Sequence, residues 1–227
     1  MRLSLSFLAC LLSQPLAAAA PWIQDEDYLY ARASVASEQV EGLEAVRSDM
    51  FLDYGIDDRW GATFKLERVD YADNNDFNSS GWRATVRREL LNIGSFVSAV
   101  ELGAIEGRAI GGLNGCDQFG VESRSGAGWS GTWRDQNTFA SIEVAGRVHD
   151  ACQRNRVEFS YGVETFDRLW TINQVWVERG NEGADSVKLQ SEWLFRTDRA
   201  DFSFGYRQEQ GQVFDENSLF LAIAYRY

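Results

Sequence analysis

The chain has 227 residues, 44% of them hydrophobic and 25% charged, and no uninterrupted apolar run approaches the about 18 residues that a membrane-crossing helix needs. Its 22 Lys and Arg stand against 34 Asp and Glu, a formal charge of -12, so the electropositive footprint of a nucleic-acid binder is missing and nucleic acid is excluded as an expected partner. Twenty Gly against 2 Pro, 13% aromatics and only two lysines, Lys65 and Lys188, suit neither a disordered nor a helix-rich chain and point to an all-β fold.

Residues 1–20 read as a secretory signal peptide: Arg2, the apolar stretch Leu3 to Leu12, then Ser13, Gln14, Pro15 and the small run Ala17 to Ala20. Cleavage after Ala19 is preferred, because cutting after Ala20 would place the rigid ring of Pro21 next to the scissile bond. Export leaves residues 21–227 as one domain with 21 bases against 34 acids, or -13. Cys10 departs with the signal. As a lipid-attachment site in Phe7-Leu8-Ala9-Cys10 it would follow too short an apolar segment.

From Tyr28 onward the sequence divides into twelve alternating segments of about ten residues, separated by turn clusters. They centre on Tyr28–Val35, Ala45–Tyr54, Trp60–Arg68, Trp82–Leu90, Phe96–Ala104, Phe119–Trp129, Thr138–Val148, Arg156–Thr165, Leu169–Glu178, Val187–Arg196, Phe202–Arg207 and Leu219–Tyr227. Each has two chemically distinct faces. In the tenth, Val187, Leu189, Trp193 and Phe195 alternate with Lys188, Gln190, Glu192 and Arg196. A soluble sandwich alternates as well, so the period alone leaves open which face is outside.

Three features favour a membrane barrel. Compact turns such as Asp57-Asp58-Arg59, Asn92-Ile93-Gly94, Arg134-Asp135, Asp167-Arg168 and Asp198-Arg199 alternate with generally longer connections such as Tyr71 to Gly81 and Glu106 to Gln118. An even strand number puts both ends of an exported chain on the short-turn, periplasmic side. The last strand carries Leu219, Leu221, Ile223, Tyr225 and Tyr227 on one face and ends on an aromatic. Backbone in hydrocarbon must be paired internally, so strands cross only as a closed barrel. The expected fold is therefore a closed antiparallel up-and-down transmembrane β-barrel of about twelve strands, with Trp22, Tyr28, Trp60, Trp82, Trp129, Trp170, Trp176 and Tyr227 as candidates for interfacial girdles.

The final strand resembles the C-terminal signal by which Gram-negative outer-membrane barrels are recognised by their assembly machinery. Asp53-Tyr54-Gly55-Ile56-Asp57-Asp58-Arg59-Trp60 is similar to the "Tyr-Gly-x-x-Asp-Arg" segment of small proteobacterial barrels of unassigned function. The resemblance implies a location in the bacterial outer membrane. It also implies contact with lipid and lipopolysaccharide, and engagement of the barrel-assembly machinery through Leu219, Leu221, Ile223, Tyr225 and Tyr227.

Sorting charge by face places Arg32, Arg47, Lys65, Arg83, Arg87, Arg124, Arg147, Arg156, Lys188, Arg196, Arg207 and Arg226 inside. Asp49, Asp53, Glu67, Glu89, Glu101, Glu122, Glu143, Glu158, Glu164 and Glu192 share that face. The interior is thus expected to be near neutral and the acidic excess to lie in loops, with Glu38, Glu41, Asp70, Asp73, Asp76, Glu106, Asp117, Asp150, Glu182, Asp185, Asp215 and Glu216 at the outer mouth. Arg in preference to Lys fits bidentate pairing with Glu. If the pairs close across the lumen they make a structural core; if they line opposite walls they line a narrow porin-like channel for small polar solutes or ions. No segment between strands is long enough for a separate plug.

Cys116 and Cys152 fall in adjacent outer loops and are expected to form a disulfide in an oxidising compartment. A single histidine, His149, gives no zinc ligand set, and no cofactor is expected. His149 and Asp150 share the fourth outer loop and leave a loop-based surface hydrolase as an alternative, without a Gly-x-Ser-x-Gly elbow to support it. The preferred reading is a non-enzymatic porin-like channel. A structural or adhesion barrel with an ion-paired, closed lumen is its main rival.

Overall fold

A computed structural model describes residues 21–73, 75–108, 118–150, 152–181 and 183–227; the signal segment 1–20 and Cys116 lie outside the described residues. The alternating segments form twelve antiparallel strands. They are β1 (Leu29–Val40), β2 (Leu43–Gly55), β3 (Trp60–Tyr71), β4 (Ser79–Ile93), β5 (Phe96–Gly107), β6 (Gly120–Trp133), β7 (Gln136–His149), β8 (Cys152–Phe166), β9 (Leu169–Gly180), β10 (Ser186–Arg196), β11 (Ala200–Gly211) and β12 (Asp215–Arg226). Each pairs with its sequence neighbour, and β1 pairs with β12 from Tyr30↔Arg226 to Val40↔Glu216, so the sheet closes without an edge. Backbone bonds between Leu29 and Tyr227 of 3.0 and 3.2 Å complete the seam.

All twelve segments are found, and most strands run further than the expected bounds. The extension is greatest at the end opposite the chain termini, as in β1 to Val40, β8 back to Cys152, β11 to Gly211 and β12 back to Asp215. Ladder hydrogen bonds hold a strand together in water as well as in lipid, so pairing continues past the point where apolar alternation fades. The expected alternation of turn length is incomplete for the same reason. β1 and β2 are joined by a two-residue turn (residues 41–42) and only two residues separate the end of β7 from the start of β8, while the β5–β6 connection spans residues 108–119. Glu41 and Asp150 take positive φ (50° and 42°), which tight antiparallel turns require.

The outward face is apolar. Val35, Val46, Leu66, Val86, Leu102, Ile142, Val144, Val157, Phe159, Leu189, Phe204, Leu219 and Leu221 are all exposed, a surface suited to hydrocarbon. Near the termini-bearing end it carries Tyr54, Trp60, Trp133, Phe166, Tyr225 and Tyr227, with Arg88 stacked 5.1 Å above Trp60. Three girdle candidates prove to be interior residues instead: Trp22 and Trp170 pack within the barrel, and Trp176 lines its lumen. In β9 the even-numbered positions face inward, which takes both tryptophans away from lipid.

A second departure concerns the segment before β1. Residues 21–27 fold back into the termini-bearing mouth as a strap. Glu26 bridges Gly55 in parallel, the Asp27 amide donates to the Gly55 carbonyl (3.0 Å), and the Tyr54 hydroxyl donates to Asp27 (2.8 Å). A β-carbon on Gly55 would stand 2.0 Å from the Asp25 carbonyl, so the strap passes only because this position is glycine. The element that fills the mouth thus precedes the first strand and is no inter-strand connection.

Candidate functional site

Every charged residue assigned inward by alternation projects from the buried face of its strand. Three groups emerge. On the seam side, Arg47 reaches Glu38, Glu67 and Glu216 (3.1 Å to Glu216), while Arg207 bonds Glu216 (3.1 Å) and Glu38. Lys65 holds Glu67 at 2.6 Å and Lys188 holds Glu209 at 2.6 Å. Asp49 accepts from Ser34, and Arg32 bonds Glu192 at 3.0 Å.

Across the lumen, Glu122 is shared by Arg83 (3.0 Å), Arg124 and Arg147, and Arg124 also bonds Glu143 at 3.1 Å. Arg156 stands 3.9 Å from Glu158 and 3.6 Å from Glu178. The third group sits toward the termini-bearing mouth. Arg87 bonds Glu101 (3.1 Å), approaches Asp53 (3.4 Å) and donates to the Trp22 carbonyl (2.8 Å). Arg196 and Arg226 flank Asp201. Glu89 and Glu164 lie away from these clusters near the short turns, bonded by Asn92 and Asn137.

Arg154, Glu178, Asp201, Glu209, Glu38 and Glu216 also belong to the interior and escaped the face assignment. Most fall where strands run beyond their expected ends. Glu38 and Glu216, expected at the outer rim, are instead 2% exposed ligands of arginine, because β1 and β12 extend through them. Some of the acidic excess therefore counters guanidinium charge inside. Asp70 and Glu106 are strand residues as well, bonded to Arg68 and Trp82.

The two halves of the lumen differ. Toward the termini, Phe139, Trp170, Ile172 and Leu194 form a buried cluster onto which Trp22 packs, its ring 6.0 Å from Phe139 at 84°. Gly128 makes room for it, since a β-carbon there would meet the indole at 2.6 Å. Tyr30, Phe51 and Ala224 fill the other side. Toward the opposite end the barrel holds a cavity of about 260 Å³ lined by ten Arg and Lys against six Asp and Glu. Lys65 and Lys188 keep 31% and 25% of their side-chain surface exposed, so water reaches it. The interior is thus a charged vestibule above a packed floor.

His149 is not in a loop. It ends β7, is 1% exposed, and its Nδ1 lies 3.0 Å from the Gln118 carbonyl. Asp150 occupies the exposed turn, and among the described residues no hydrogen bond joins the two. Cys152 opens β8 and is buried. In the β9–β10 loop, the Gly180 amide and Arg179 hold the Asp185 carboxyl below the usual range by hydrogen bonding and charge.

No protein-family model and no curated protein sequence matches the chain. Solved structures do. The COG4313 outer membrane channel from Pseudomonas putida F1 superimposes with a TM-score of 0.61 at 7% identity, over 94% of this chain and 100% of its own. The NanC porin gives 0.60 at 11%, over 85% and 98%. The KdgM porin, seen in complex with disordered oligogalacturonate, gives 0.59 at 6%, over 86% and 98%. At these identities the likeness is one of architecture: the chain has the fold of Gram-negative outer-membrane β-barrels.

Proposed function

We propose that the protein is a porin-like channel of the bacterial outer membrane that passes small polar solutes or ions through its vestibule. The observation that carries this is a water-accessible, base-rich cavity inside a closed barrel whose outer face is apolar. Burying ions in a purely structural core is a poor use of desolvation, since apolar side chains fill space at no such cost. The fold shared with the KdgM, NanC and COG4313 proteins supports the same reading.

In this reading residues 1–20 are removed on export, the longer connections face outward, and the strap side is periplasmic. Leu219, Leu221, Ile223, Tyr225 and Tyr227 present the strand that the assembly machinery engages. Cys116 and Cys152 are joined as a disulfide at the outer mouth. Exposed Glu41, Asp73, Asp76, Asp150 and Asp215 meet the lipopolysaccharide layer, where divalent cations link carboxylates to lipid phosphates. The strap and its aromatic floor are a gate that must shift for passage.

The packed floor favours one rival, a structural barrel with a closed lumen. Reconstitution in planar bilayers separates the two. The channel reading expects discrete conductance steps from protein whose gel mobility shifts on boiling; folded protein that gives no steps under any applied voltage is a structural barrel.

A further inference from the structure

The vestibule's two walls are not equivalent. On the seam side four bases, Arg47, Lys65, Lys188 and Arg207, meet four acids, Glu38, Glu67, Glu209 and Glu216, at hydrogen-bonding distance. The wall built by β7, β8 and β9 pairs its charges less closely. There three guanidiniums approach Glu178, Arg147 at 4.0 Å, Arg154 at 3.7 Å and Arg156 at 3.6 Å, and Arg156 also stands 3.9 Å from Glu158, all beyond hydrogen-bonding distance. Arg147 is already committed to Glu122.

Arg154 and Arg156 make no hydrogen bond to any described residue, and the Arg154 Nε is buried without a partner although the residue is 8% exposed. Both line the cavity. Arginine forks held this loosely by Glu178 and Glu158 keep N–H donors for a further acceptor, and the fork matches a carboxylate in a bidentate way.

What surrounds the open forks has its own chemistry. Register places Glu178 opposite Arg156 and Trp176 opposite both Glu158 and Lys188, one step below. The indole lines the cavity as an apolar plate between Glu158 and Lys188. Gln174 and Gln190 stand another step down, joined at 3.1 Å, with Ser186 above. Two arginines sharing Glu178 at the top, an aromatic face at mid-height and amides below form a ladder for a molecule with an acid group, a ring and hydroxyls.

We infer that this wall is a binding site for a small hydroxylated organic acid, its carboxylate held by Arg154 and Arg156 and its ring laid on Trp176. The assignment deepens the channel reading by naming a solute class, but it stands on the wall itself and not on conductance.

Titration calorimetry of the detergent-folded, full-length mature chain tests it, with D-glucuronate as probe, D-glucose as its uncharged counterpart and inorganic phosphate as a bare anion. Glucuronate is expected to bind saturably, glucose not at all, and phosphate more weakly than glucuronate. The pair Arg154→Gln and Arg156→Gln should weaken glucuronate at least tenfold while the heat-dependent gel shift is unchanged. If that pair does not fold, Arg156→Gln alone should still weaken it severalfold. Trp176→Ala should weaken glucuronate and leave phosphate as it was.

Absence of saturable binding by the wild-type chain overturns the inference, as does an undiminished affinity in the arginine variants. Phosphate binding as tightly as glucuronate overturns the assignment to hydroxylated acids. Glucuronate binding without conductance steps keeps the site and removes the channel; steps without binding keep the channel and remove the site.

Discussion

The Arg87 guanidinium donates to the backbone carbonyl of Trp22 over 2.8 Å while its Nε holds Glu101 at 3.1 Å. One side chain thereby ties the strap before β1 to the ion pairs of the barrel wall. Trp22 depends on this tie and on its seat against Phe139, so loosening either should open the floor. Trp22→Ala is expected to raise open probability or unit conductance severalfold in planar bilayers. Gly128→Val, whose side chain takes the space of the indole, should do the same. Conductance equal to wild type in both would mean that the strap is no barrier.

Glu122 is the common partner of Arg83, Arg124 and Arg147. Removing its charge leaves three buried guanidiniums sharing the remaining carboxylates, a loss of about 3–5 kcal/mol for a broken buried pair. Glu122→Gln should lower the temperature at which the folded gel band converts to the unfolded one. Glu41→Gln, at an exposed turn, should leave that temperature unchanged.

The proposed bridge between Cys116 and Cys152 closes a loop outside the membrane span. Thiol titration of denatured mature protein should find no free thiol before reduction and two after it. Cys116→Ser is expected to speed protease cleavage in residues 108–119 while leaving the barrel core resistant. Two titratable thiols in the unreduced protein would remove the bridge.

Tyr227 meets Leu29 through two backbone bonds at the seam, and the residue is 69% exposed. Tyr227→Ala leaves the backbone bonds possible and removes only the terminal aromatic. Folded yield in cells should fall severalfold, whereas refolding into detergent in vitro should match wild type. An equal fall in both would indicate a stability role in place of recognition by the assembly machinery.

Strand number, order and the inward set of charges were legible because alternation has a fixed period of two, so one apolar face assigns every other residue. Strand ends were not. At Glu38, Glu216 and Glu209 the sequence is polar on both faces, and only the ladder shows that pairing continues. The strap was hidden for another reason: Trp22 and Gln24 find their partners, Phe139 and Asp53, far along the chain, with no local period to announce them. Gly55 belongs to the Tyr-Gly-x-x-Asp-Arg segment, yet its steric role depends on the Asp25 carbonyl, which lies against it from outside that segment.

Several of the interior ion pairs join strands that are not neighbours in the chain. Arg32 of β1 binds Glu192 of β10, Arg47 of β2 binds Glu216 of β12, and Arg207 of β11 binds Glu38 of β1. All three span the place where first strand meets last. Until that junction forms Arg32 lacks its only carboxylate, while Arg47 and Arg207 keep just the partners on adjacent strands; once it forms all three are satisfied together. The ionic interior therefore acts as a latch on assembly: a sheet one strand short, or paired out of register, leaves arginines and glutamates stranded at once, which makes partly closed intermediates costly and the finished barrel slow to reopen.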